Sequence, residues 1–231
     1  MPDRETALIV GAGSGLSASL ARALARDGVK VALAARTPDD LDALVKETGA
    51  RAFACDASKR GEVETLFDAL DAALGAPDIV IYNASARARG PFVELDPGDV
   101  ERALAVSAFG GFLVAQQAAR RMLKQGHGAI LFTGASASVK GYAQSAPFAM
   151  GKFALRGLAQ SMARELSPLG IHVAHVVIDG GIRSARRPES AAAPDSLLDP
   201  DAIAMSYLHL IRQPRSAWTW EIELRPWVEK F

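Results

Sequence analysis

A few residues in this chain have types and spacings that could do chemistry. GAGSGLS, Gly11 to Ser17, follows the apolar run TALIV and leads into LSASLARALARDG. Glycines at such a strand-to-helix junction let backbone N–H groups and the positive end of a helix face a pyrophosphate. The spacing is not G-x-G-x-x-G, because Leu16 holds the last position. Gly11, Gly15 and Ser17 fit instead, with Gly13 and Ser14 inside the turn and Ser17 small enough to preserve it. A tight connection without a ligand would use the same residues, but the position at the first such junction favours a nucleotide. Arg36 ends the run VALAA, about 20 residues on, where an NAD-selective site needs an acid for the ribose 2′-hydroxyl. A guanidinium there suits a 2′-phosphate, so NADP is expected over NAD, with a solvated loop cation as the alternative. In SAPFAMGKFAL, Phe148 and Lys152 lie four apart on a helix starting near Pro147, and Leu155, Leu158, Ala159, Met162 and Leu166 continue an apolar stripe. On those residues alone Phe148 is packing and Lys152 a surface cation.

These groups must be carried by a scaffold, and the chain has the means to build one. Its 231 residues suit one domain, 1–231, with a substantial core. Hydrophobic residues make up 49%, and acids and bases cancel at 26 each, with no basic run long enough for a nucleic-acid or membrane surface. The N-terminus lacks the pattern of a secretory signal and no stretch reaches the length of a membrane span, so a cytoplasmic protein is expected. Cys55 has no partner for an internal disulfide and reads as a structural thiol at the end of a buried strand. His127, His172 and His175 form no metal-spaced cluster with Cys or acids, and no metal is expected.

Short apolar runs alternate with helical periodicity, the pattern of βαβ units around a mainly parallel sheet. The strands are TALIVGA, VKVALAA, RAFACDA, PDIVIYN, GAILFTG, IHVAHVVID and TWEIEL; helices fall near 15–27, 38–48, 60–74, 98–124, 147–167 and 200–212. The expectation is an α/β, Rossmann-like, doubly wound sheet of about seven strands with helices on both faces. Residues 183–199 have no periodicity and read as a mobile flap, in which Arg183, Arg186 and Arg187 are taken as solvated charge rather than anion contacts.

In that order the Gly11/Gly15 turn, CDA at Cys55 to Ala57, YNAS at Tyr82 to Ser85, GAILFTGAS and the lysine of FAMGK resemble the short-chain dehydrogenase/reductase family over essentially the whole chain. The resemblance implies NAD(P)-dependent hydride transfer. It places Asp56 near the adenine, Asn83 and Ala84 beside the cofactor, and DGGIRS, Asp179 to Ser184, at the nicotinamide. The implied cofactor-binding set is Gly11, Gly13, Ser14, Gly15, Leu16, Arg36, Asp56, Ala57, Asn83, Ala84, Lys152, Gly180 and Ile182. Lys152 matches the family lysine that holds the nicotinamide ribose, but Phe148 stands at the position of the tyrosine proton carrier, Ala135 at that of the serine and Ser107 at that of the asparagine. Asp179 replaces a proline. A positioned acid or base contributes roughly 10²–10⁴-fold, so the family mechanism should be crippled unless another group serves. Ser136 and Tyr142 are the candidate donors beside Lys152. The expected substrate is a small or medium hydrophobic carbonyl, alcohol or enone; the alternative is a cofactor-binding pseudoenzyme acting as a regulatory or oligomeric partner. Helices 98–124 and 147–167 carry more apolar surface than one sheet face needs, and relatives pair them between subunits, which implies a homodimer or homotetramer.

Overall fold

The computed structural model describes residues 5–229. Seven strands, β1 (Thr6–Val10), β2 (Lys30–Ala35), β3 (Arg51–Ala54), β4 (Ile79–Tyr82), β5 (Gly128–Thr133), β6 (Ile171–Ile178) and β7 (Glu221–Leu224), form one sheet in the order β3-β2-β1-β4-β5-β6-β7. Every pairing is parallel, in a register that sets Val10 beside both Ala34 and Tyr82. Central strands β1, β4 and β6 are buried along their whole length, as sheets covered on both faces require, whereas edge strands β3 and β7 are only partly covered.

Strand pleating sends alternate side chains to opposite faces. Ala7 and Ile9 join one core with Leu20 and Leu24 of α1 (Leu16–Arg26), Leu44 of α2 (Asp42–Thr48) and Tyr207 and Leu210 of α7 (Pro200–Ile211). Leu8 and Val10 join the other, with Phe67 and Leu70 of α3 (Arg60–Leu74), Val114 and Met122 of α5 (Gly110–Gln125) and Leu155 and Ala159 of α6 (Ala146–Leu166). Leu158 and Met162 pack at the edge of that second core, so the apolar stripe read on α6 is a packing face.

Two expected elements differ. The helix over 98–124 is interrupted: α4 (Pro97–Leu104) passes through a π-helical turn, Ala105–Phe109, before α5 begins. The wide turn is held by a side chain that periodicity does not reveal, because the Tyr82 hydroxyl donates to the Val106 carbonyl. A side chain at Gly110 would strike that hydroxyl, its Cβ lying 2.5 Å away. The helix expected from 38 begins as a 3₁₀ turn, Pro38–Leu41, and becomes α-helical at Asp42. Residues 183–199 hold no helix or strand, yet bridges Ile182↔Leu198 and Ser184↔Arg187 and an Arg183–Asp199 ion pair at 2.8 Å tie them back. No helix among the described residues is long and apolar enough to cross a membrane, and no group of His, Cys, Asp and Glu among them could hold a metal ion.

Neighbouring strands β1 and β4 lead to opposite ends of the sheet, so the chain leaves a crevice at their carboxyl ends, where open α/β sheets take ligands.

Candidate active site

Two cavities open along that crevice and share Asn83 and Ser85 in their walls. The first encloses about 710 Å³ and the second about 550 Å³.

The second cavity is lined by Gly11, Gly13, Ser14, Arg36, Asp56, Ala57, Asn83 and Ala84, eight positions scattered along the chain that the sheet brings to one wall. Gly11 has φ +85°, and a Cβ on it would lie 2.4 Å from the Ala84 nitrogen, so no other residue fits the turn. At Gly13 and Gly15, by contrast, a Cβ would meet no protein atom within 4 Å. The first turn of α1 has neither a side-chain cap nor an acid; the Ala18 N–H donates to the Gly15 carbonyl at 2.9 Å, and the positive helix end is left for phosphate oxygens. This is a cradle that a dinucleotide pyrophosphate fits. Ser17, expected merely to be small, is buried and makes two bonds: its hydroxyl donates to the Gly11 carbonyl at 3.0 Å and accepts from Asn83 Nδ2 at 2.7 Å. It thus ties the glycine turn to the strand that carries Asn83. The Asp56 carboxylate accepts from the Ser58 hydroxyl at 2.7 Å and the Ser58 backbone N–H at 3.0 Å, bonds that hold it ionised below its usual range. Cys55 is buried and its thiol is pushed up to about 11, first by burial and then by Glu62 and Asp56, which leaves it unreactive.

Lys152, Ser136 and Tyr142 all line the first cavity, as do Gly15, Leu16, Gly180 and Ile182 of the implied cofactor-binding set. Lys152 is only 3% exposed, and its ammonium donates to the Thr133 carbonyl at 2.7 Å. Burial, and then the positive charge of Arg87, push it down to about 7. Phe148, 7% exposed, presents one ring face to this lysine, with Nζ 5.8 Å from the ring centroid. Tyr142 stands exposed with Lys140 Nζ 5.9 Å from its ring. Ser138 is buried behind the wall and accepts from the Ala135 N–H at 3.1 Å, so of the two serines in FTGASAS Ser136 lines the cavity; Thr133 lines it too, with its hydroxyl bonded to that of Tyr207 at 2.8 Å. Ser107, in the π turn, is fully buried; its hydroxyl accepts from the Ala86 N–H at 3.0 Å and does not line the cavity. Asp179 sits 2% exposed, paired with Arg225 at 2.9 Å and Lys140 at 3.7 Å.

Sequence reasoning missed Arg87 and Arg89, which project into the first cavity from the loop after β4. The guanidinium of Arg87 lies 4.0 Å from the centroid of the Phe148 ring, a cation–π stack. The signal was the basic run ARARG directly after YNAS, which charge counting alone leaves as solvated surface. Arg183 and Arg187, read as solvated charge, are exposed and also line this cavity; Arg186 does not line it.

The parallel order, the crevice at β1 and β4 and an open cradle on an uncapped helix define a dinucleotide-binding α/β protein with a second, substrate-sized chamber beside the cradle. Comparison narrows the class: the short chain dehydrogenase family model matches residues 5–193, and the chain belongs to that family. A D-threitol dehydrogenase of Mycolicibacterium smegmatis is 31% identical over 176 residues, 74% of this chain and 68% of that protein. A short-chain dehydrogenase of Rhodopseudomonas palustris, of known structure, is 36% identical with a TM-score of 0.85, covering 98% of this chain and 100% of its own. A metagenomic short-chain oxidoreductase solved in complex with NADP is 27% identical with a TM-score of 0.84, covering 96% and 97%.

Proposed function

We propose that this protein is an NADP-dependent oxidoreductase that acts on a small or medium carbonyl, alcohol or enone with an apolar body, using Lys152 rather than a tyrosine to hold the transferable proton. The observation that carries the reading is the placement of one buried lysine, pushed down to about 7, in the wall of a chamber that meets the glycine cradle at Asn83 and Ser85. The bound cofactor would supply the hydride. The α1 N-terminus and the turn from Gly11 to Gly15 would hold its pyrophosphate, Arg36 a 2′-phosphate, and Asp56 and Asn83 would flank it along the crevice.

A proton donor works best with a pKa near the operating pH. Lys152 meets that condition because burial disfavours its charged form and Arg87 opposes it. The Thr133 carbonyl fixes the direction of the ammonium, so one of its remaining N–H bonds can face an oxygen in the chamber. Ser136 and Tyr142 supply hydroxyls to orient that oxygen. Phe148 has no exchangeable proton, and its ring lies beside the lysine.

Steady-state NADPH oxidation over a panel of ketones and enones tests the reading. Lys152→Ala should abolish turnover, while Ser136→Ala and Tyr142→Phe should raise KM more than they lower kcat. Tight NADPH binding with no turnover on any substrate would instead leave a cofactor-binding pseudoenzyme. The NADP assignment rests on Arg36: Arg36→Asp should lower the NADPH to NADH affinity ratio more than tenfold by calorimetry, and an unchanged ratio would overturn it. We further propose a homodimer or homotetramer built on α5 and α6, where Phe112, Met150 and Phe153 are exposed, with Phe109 stacked on Phe112 at 6.2 Å.

A further inference from the structure

The charged side chains that line the first cavity are all cations: Arg87, Arg89, Lys152, Arg183 and Arg187, with no Asp or Glu in its wall. Among the described residues Arg183 has partners, Asp199 at 2.8 Å and Glu189 at 3.5 Å, whereas Arg87, Arg89 and Arg187 stand in no ion pair. They are close enough to act on one another. Partial burial, then Arg89 and Arg187, hold the Arg87 guanidinium below its ordinary range. Like charges gathered at a concave wall raise the local potential and cost stability unless an anion answers them. Arg87 is also held in place, because its guanidinium carbon lies over the Phe148 ring, 4.0 Å from the centroid, and its N–H groups make no side-chain hydrogen bond among the described residues. Arg36, Gly11, Gly13 and Ser14 line the other cavity, while Gly15, Leu16 and Gly180 line this one, so an anion held here would share the chamber with one end of the cofactor.

We infer that the first cavity binds an anionic substrate, with Arg87 stacked on Phe148 as the anchor for its carboxylate or phosphate and Arg89 and Arg187 completing the anion site. This rests on the oxidoreductase reading only in calling the occupant a substrate. Phe148 is then a positioning residue, whose phenyl face fixes the anchor.

The test is calorimetric binding of benzoate, phenyl phosphate and benzamide to the full chain, with and without NADP. One of the two anions should bind at least tenfold tighter than benzamide, and which one does so separates a carboxylate from a phosphate site. Arg87→Gln and Arg89→Gln should each weaken that anion at least fivefold and leave NADP affinity unchanged. Phe148→Leu should weaken it by a smaller factor with every charge retained, and Arg60→Gln, a surface charge on α3, should change nothing. Equal binding of benzamide, no binding of either anion, an Arg87→Gln protein that binds as the parent does, or a matching loss of NADP affinity would each overturn the proposal. If the anion preference holds but NADPH is neither bound nor turned over, the anion site stands and the oxidoreductase reading falls.

Discussion

The two ends of the crevice differ in how closely they follow the family resemblance. At the glycine-turn end eight of the residues the resemblance implies line the cavity, with Gly15 and Leu16 in the wall of the neighbouring one, and Ser17 strengthens the turn through its bonds to Gly11 and Asn83. At the Lys152 end the lysine alone of the implied catalytic set keeps its residue type, and the wall around it includes Phe148, Ala135 and Arg87. A dinucleotide cradle works through backbone N–H groups and a helix end, so its side chains can vary if the backbone path survives. Proton transfer works through one atom at one position, and a change of residue there changes the chemistry.

The contrast breaks most directly if the second end can be converted. The double variant Phe148→Tyr with Ala135→Ser should raise reduction of neutral ketones by roughly 10²–10⁴-fold, while Phe148→Tyr alone gains less than about tenfold because no hydroxyl orients the carbonyl. Equal rates for single and double variants in stopped-flow assays would mean that the two ends do not differ in the way described. Gly11→Ala probes the backbone path of the cradle. Its φ of +85° and the 2.4 Å approach to Ala84 should cost roughly 2–6 kcal/mol in urea unfolding and remove cofactor binding.

Lys152→Met separates the ends by pH. The folded state holds this lysine near 7 against an ordinary 10.5, so between those values the unfolded chain binds more protons and stability rises with pH. The cofactor-free parent should therefore gain roughly 2–4 kcal/mol relative to Lys152→Met between pH 7 and 10, and parallel pH profiles would show that the lysine is not buried as described. The smallest effect belongs to Ser17→Ala. Loss of its two hydrogen bonds should cost about 1–2 kcal/mol and weaken cofactor binding several-fold, without altering the rate at saturating cofactor.

Much of this was legible in the residues. The apolar runs named the inner strands, because a strand covered on both faces must be apolar throughout, the edge strands β3 and β7 were read from shorter or alternating runs, and the glycine turn named the cradle, because few residues permit that path. The break in the helix over 98–124 was not legible, since helical periodicity carries no trace of the Tyr82 hydroxyl that holds the π turn open. Nor was the position of Arg183 and Arg187, which stay exposed but line the first cavity because the loop is folded back along the bridge between Ile182 and Leu198.

The sequence by itself determined the sheet, the nucleotide cradle and the placing of Lys152 on the helix after β5, all of which follow from local pattern and from motifs in order. Only the tertiary structure decided that Lys152 is buried against the Thr133 carbonyl, and that Arg87 crosses from the loop after β4 to lie over Phe148. Desolvation and like-charge repulsion depend on distance in space, and they act here between residues that are far apart along the chain.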